Sequence, residues 1–232
     1  MRDPNLGRCI GLIGGLGVGA TVHYYHELAK AHAERRRVLN LVMAHADVNR
    51  VLGAAQAGDK AGLAEYLAEL IGRLAGAGAE FAVIPSVTPH LCIAELLKLS
   101  RLPIVNPVDE LQREIETRRW RRVALLGTRF TLESGLFGLL RDVDLVMPRA
   151  DEIDFVHQTY MQLVSAGAGS DEQRTGLSRL AQQLIKREGV DAVILAGTDL
   201  ALIFNESNTD FPHIDCARLH LGAIARRALA ER

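Results

Sequence analysis

Short unbroken apolar runs alternate along the chain with longer stretches in which apolar residues recur every three or four positions. The runs at 9–13, 39–43, 81–84, 122–126, 191–195 and 213–215 predict buried strands. Between them, Leu63, Tyr66, Leu67, Leu70 and Leu74 share one helical face, as do Leu177, Leu180, Ala181, Leu184 and Ile185. Strands alternating with helices of this kind predict βα units on parallel sheets. The Ala/Gly segment 74–79 predicts a helix end, and 167–170 a turn before another helix.

The pattern repeats faintly. A strand running into Gly14-Gly15-Leu16-Gly17 opens the first half, and one running into Gly127-Thr128-Arg129-Phe130 opens the second. Later in each half a strand enters a polar turn, Pro85-Ser86-Val87-Thr88 in one and Ala196-Gly197-Thr198-Asp199 in the other. The expected architecture is α/β with two similar lobes, each a mainly parallel sheet flanked by helices. One lobe would hold 1–106 with 210–232, the other 107–209. Ligands of parallel sheets bind at the carboxyl ends of strands, so all four turns are expected to face a cleft between the lobes.

Composition narrows the partners. The 27 basic residues nearly cancel 28 acidic ones, which leaves no overall field to hold a nucleic-acid backbone or an anionic membrane. A small carboxylate or amino-acid ligand is the expected partner, and a homodimer is compatible with the chain. Cys9, Cys92 and Cys216 are odd in number and widely spaced, which fits neither a disulfide framework nor a zinc site and points to a reducing compartment. Residues 1–8 are charged without a following apolar stretch, and no apolar run approaches the roughly 20 residues of a membrane span. A cytoplasmic location is therefore expected.

Each turn has a chemical and a bland reading. Gly15 and Gly17, between a strand and a helix, could present amides to an anion or simply make a tight turn. A dinucleotide fingerprint would need an acid about 20 residues on, and Asp47 lies too far along. Thr128 and Thr131 could bind a carboxylate or cap a helix, and Thr88 and Thr198 hold matching places in the later turns. His90 could be a general base or a satisfied buried residue. Asp199 could act in catalysis or complement a helix dipole. His45 and Asp47 end the second strand, and His220 reads as structural.

The stretches 10–17 with Ala20-Thr21 and Tyr24-Tyr25, then 125–131, Val193-Ile194-Leu195 with Thr198, and Asp215 with His220, together resemble the aspartate/glutamate racemase family along essentially the whole chain. That resemblance implies two lobes, no cofactor and no metal, and inversion of an α-carbon by a thiol from each lobe. It places the thiols at Ser86, where the family typically reads Pro-Cys-Asn-Thr, and at Gly197, where it reads Gly-Cys-Thr-Glu. Neither is cysteine here, and Val87, Asp199 and Gly19 also depart from the pattern. Three readings stay open: an isomerase by descent that binds a small amino or dicarboxylic acid, a lyase, decarboxylase or hydrolase using Ser86 with an acid/base partner, and a non-catalytic binding protein. Cys216, beside Asp215 at a strand end, is the best-placed surviving thiol.

Overall fold

The computed structural model describes residues 5–230, so of the charged stretch 1–8 residues 1–4 lie outside the described residues. The chain divides into two compact units, one of Met1–Asn106 with His220–Arg232 and one of Pro107–Leu219.

The first unit runs β1 (Ile10–Gly14), α1 (Val18–Glu34), β2 (Leu41–His45), α2 (Val48–Ala57), α3 (Lys60–Gly76), β3 (Phe81–Val83), α4 (Ile93–Leu99) and β4 (Ile104–Val105). Its four strands are all parallel, in the order β2-β1-β3-β4. The central strands β1 and β3 are buried at every position, which is why they read as unbroken apolar runs without alternation. The edge strand β2 leaves Met43 and His45 exposed. The predicted stripe on α3 is the buried face, with Leu63, Leu67, Leu70, Ile71 and Leu74 packed away from water. Each such side chain contributes about 1.5–3 kcal/mol by burial.

The second unit repeats this order with α5 (Pro107–Arg118), β5 (Arg122–Leu126), α6 (Arg129–Glu133), β6 (Asp144–Val146), α7 (Ala150–Ala166), α8 (Asp171–Glu188), β7 (Ala192–Leu195) and β8 (His213–Asp215). Its strands are again all parallel, as β6-β5-β7-β8. Ser170 caps α8 by accepting from the Gln173 amide, so the turn expected at 167–170 is a helix start held by a capping box. The final helix, α9 (Cys216–Leu229), begins in the second unit and enters the first at His220. The return falls there rather than at residue 210 because β8 pairs with β7.

In both units the first crossover leads outward to one edge and the next returns across the sheet. The switch in direction lies between β1 and β3 in one unit and between β5 and β7 in the other. Ligands of open parallel sheets favour such points. The four turns singled out above follow these four strands.

Candidate functional site

In the first unit, Gly15 has φ +89°, and a Cβ there would come within 2.7 Å of the His45 ring, so only glycine fits this turn. The Gly15 amide donates to Thr21 Oγ1 at 3.1 Å, and that hydroxyl donates to the Gly17 carbonyl at 2.8 Å. The glycine turn is thus braced from within by the first turn of α1. Asp47 caps α2, accepting from the Asn49 and Arg50 amides, while its own amide donates to the Tyr66 hydroxyl at 2.7 Å. Asp47 and His45 are both exposed.

Ser86, half-buried, follows β3, and its hydroxyl makes no hydrogen bond among the described residues. Thr88, Pro89 and His90 are buried in the short 3-10 turn Thr88–Cys92. The His90 ring reaches back to the Ser86 carbonyl, not its hydroxyl, with Nδ1 at 2.9 Å. A carbonyl only accepts, so Nδ1 carries the proton and Nε2 is left as a buried lone pair without a partner among the described residues. Burial pushes this imidazole down to about 4, against the pull of the Ser86 hydrogen bond. His220 is likewise structural: Nε2 bonds the Val105 carbonyl at 2.8 Å, Nδ1 faces the Tyr24 hydroxyl at 3.1 Å, and burial with nearby His90 pushes it down to about 3.

The second unit is built from the ends of β5 and β7 and one face of α7. Thr128 caps α6: its hydroxyl accepts from the Thr131 amide at 3.2 Å and pairs with the fully buried Thr131 hydroxyl at 2.9 Å. Thr128→Val is therefore expected to cost about 1 kcal/mol of stability through the lost cap. Urea melts that superimpose on those of the parent protein would contradict this. Arg129 is held by Glu133 and Asp154, and its amide donates to His157 Nδ1 at 3.3 Å. Burial, with Arg129 beside it, lowers the His157 pKa.

Gly197, Thr198 and Asp199 follow β7, with Thr198 and Asp199 buried at the start of the 3-10 turn Thr198–Leu202. A Cβ at Gly197 would lie 2.3 Å from Tyr160 Cε2 and 2.8 Å from both Cζ and the hydroxyl oxygen. The Tyr160 phenol thus occupies the space in which a side chain at 197 would stand. Its hydroxyl donates to Asp199 Oδ2 at 3.1 Å. Burial first, and the Asp199 charge second, push the phenol well above its ordinary pKa, while the Asp199 amide and the Thr198 hydroxyl oppose the shift.

His157 and Tyr160 escaped the sequence reading. They lie three residues apart on α7, so one helical face aims both at the strand ends, a spacing legible only once the neighbouring face is known. Neither Cys216 nor Cys92 is an activated thiol. Cys216 is buried, and burial together with Asp215 pushes its pKa up. Burial and Glu95 push Cys92 up to about 12. A surface groove of about 1260 Å³ between α7 and α8, lined by Phe155, Gln158, Gln162, Gly176 and Arg179, contains none of the candidate residues. Among the described residues no group of three or more His, Cys, Asp or Glu could hold a metal, and no helix is long and apolar enough to cross a membrane.

Two four-stranded parallel sheets flanked by helices match the two-lobe fold of Asp/Glu racemases. Residues 13–224 match the family described as Asp/Glu/Hydantoin racemase, and the chain belongs to that family. Among solved structures it is similar to an aspartate racemase homologue from Pyrococcus horikoshii, at 23% identity over 96% of this chain and 100% of that one, with TM-score 0.79. It is also similar to the Picrophilus torridus aspartate racemase, at 22% identity over 96% and 94%, TM-score 0.75. The glutamate racemase of Francisella tularensis in complex with D-glutamate matches at 12% identity over 94% and 80%, TM-score 0.63.

Proposed function

We propose that this protein binds a small amino or dicarboxylic acid at the carboxyl ends of its strands, as an isomerase by descent in which Ser86 and Gly197 do not perform a two-thiol proton exchange. Family membership and the D-glutamate complex of the Francisella tularensis enzyme support the ligand class. One observation carries the rest: the Tyr160 ring fills the side-chain space at Gly197. A two-base racemase needs an acceptor on each face of the α-carbon, and a serine hydroxyl without a base is too weak an acid to supply one. Neither His90 nor any other described residue hydrogen-bonds the Ser86 hydroxyl, so nothing favours the Ser86-based lyase or hydrolase reading.

Thermal shift and calorimetry with the enantiomers of aspartate and glutamate test this. Saturable binding of at least one is expected, adding roughly 2.7 kcal/mol of stability at a hundredfold excess over Kd, with no racemisation. No saturable binding of any of the four, or rapid racemisation of one, would sink the proposal.

A further inference from the structure

The second unit holds a buried phenol and carboxylate that the reading above leaves without a task. Tyr160 is 6% exposed and Asp199 3%, and they are joined by a direct hydrogen bond of 3.1 Å. Their location is specific, because the phenol oxygen lies 2.8 Å from where a Cβ at Gly197 would be, the place from which a side chain of that residue would project. Thr198 and the Asp199 amide face the same oxygen and favour its anionic form. A tyrosine that only filled space would need neither the carboxylate acceptor nor two donors on its oxygen.

We infer that Tyr160 is the proton-transferring residue of the second unit, with Asp199 as its proton acceptor, acting at the α-carbon of a bound amino or dicarboxylic acid. The inference rests on the ligand class proposed above. The phenol proton passes to Asp199 Oδ2, leaving a phenolate stabilised by the Thr198 hydroxyl and the Asp199 amide. The Cα–H bond then breaks, its proton re-forms the Tyr160 O–H bond, and the electron pair stays on the α-carbon, delocalised into the substrate carboxylate. The reverse sequence returns a proton to the same face. The re-formed Tyr160 O–H exchanges its proton with water before the reverse sequence, so the proton returned to the α-carbon carries the solvent isotope. Burial and the Asp199 charge both disfavour the phenolate, so it forms only transiently, stabilised by the two donors on its oxygen. A single group serving a single face gives exchange with retention of configuration, unlike a two-base racemase.

The test follows the α-proton signal of L- and D-aspartate and L- and D-glutamate with the intact protein in heavy water, using chiral chromatography to read configuration. The parent protein is expected to introduce deuterium with retention into a probe that it binds. Tyr160→Phe, which keeps the ring in place, is expected to slow exchange at least 100-fold, the lower end of what general acid–base groups contribute, while the Kd by calorimetry stays within about twofold. Asp199→Asn is expected to slow it similarly. Exchange by Tyr160→Phe at near the parent rate, or a probe that binds without exchanging, would each overturn the inference and leave the ligand reading standing, whereas deuterium appearing rapidly in the inverted enantiomer would overturn the inference together with the proposed function. Failure of all four probes to bind would overturn that reading and the inference with it.

Discussion

Gly197→Ala is expected to destabilise the protein by about 3 kcal/mol, far more than a typical glycine-to-alanine change outside helices, because one added carbon meets a fixed aromatic ring. The Cβ would lie 2.3 Å from Tyr160 Cε2, closer than van der Waals contact allows. The ring cannot withdraw without giving up its hydrogen bond to buried Asp199. The backbone at Gly197, with φ −156° and ψ 126°, suits any residue, so the cost comes from the collision and not from glycine's conformational freedom. A double-mutant cycle isolates it. In a Tyr160→Ala background the ring is gone and Gly197→Ala should be close to neutral, giving a coupling energy of roughly 2–3 kcal/mol between the two positions. Additive effects in urea denaturation would show that Tyr160 does not occupy the side-chain space of residue 197. By the same collision, Gly197→Cys is expected to be tolerated only if Tyr160 is cut back as well.

That collision shows where sequence reading stopped. The turns at Gly15, Ser86, Thr128 and Gly197 were legible because each ends an unbroken apolar run, a local signal. What fills the space in front of Gly197 comes from α7, 37 residues earlier by number, and no local pattern couples the two. Likewise, Thr128 and Thr131 are readable as helix-start residues, but only the folded chain shows their hydroxyls spent on one another. The fold was more legible because burial of a parallel strand on both faces writes itself into consecutive residues. Strand β5 at 122–126 and β8 at 213–215 fall where expected. Strands β4 and β6 lie at the sheet edges and are only partly buried, two residues long in one case and opening on an exposed Asp144 in the other, so neither writes an unbroken apolar run. The faint duplication seen in the turns is, in the structure, one strand order used twice.

Stability is expected to fall steeply as pH drops from 6.5 towards 4.5, and buried histidines set the sign. His90 and His220 are wholly buried with pKa values pushed down to about 4 and about 3, chiefly by desolvation, against 6.5 for a free imidazole. Above pH 6.5 both are neutral whether the chain is folded or not, and their contribution is constant. Below it the unfolded chain takes up protons that the folded chain refuses, so the unfolded state gains, by about 1.4 kcal/mol per pH unit for each residue. Two such groups over two units give a ceiling of roughly 5 kcal/mol, comparable with the whole stability of many domains. The loss levels off only below the folded-state values. Glu152 and Asp191, whose pKa values are lowered by hydrogen bonds from Arg187 and from the Arg121 amide respectively, act in the same direction but titrate below this window. Burial lowers His32 as well, which steepens the fall slightly. Urea unfolding at pH 7, 6, 5 and 4.5 reads the slope directly, and His90→Gln, neutral throughout, should flatten it by about 1.4 kcal/mol per unit whatever its effect at pH 7. A slope between pH 6.5 and 4.5 that His90→Gln leaves unchanged would mean that the imidazole finds water or a partner in the folded protein.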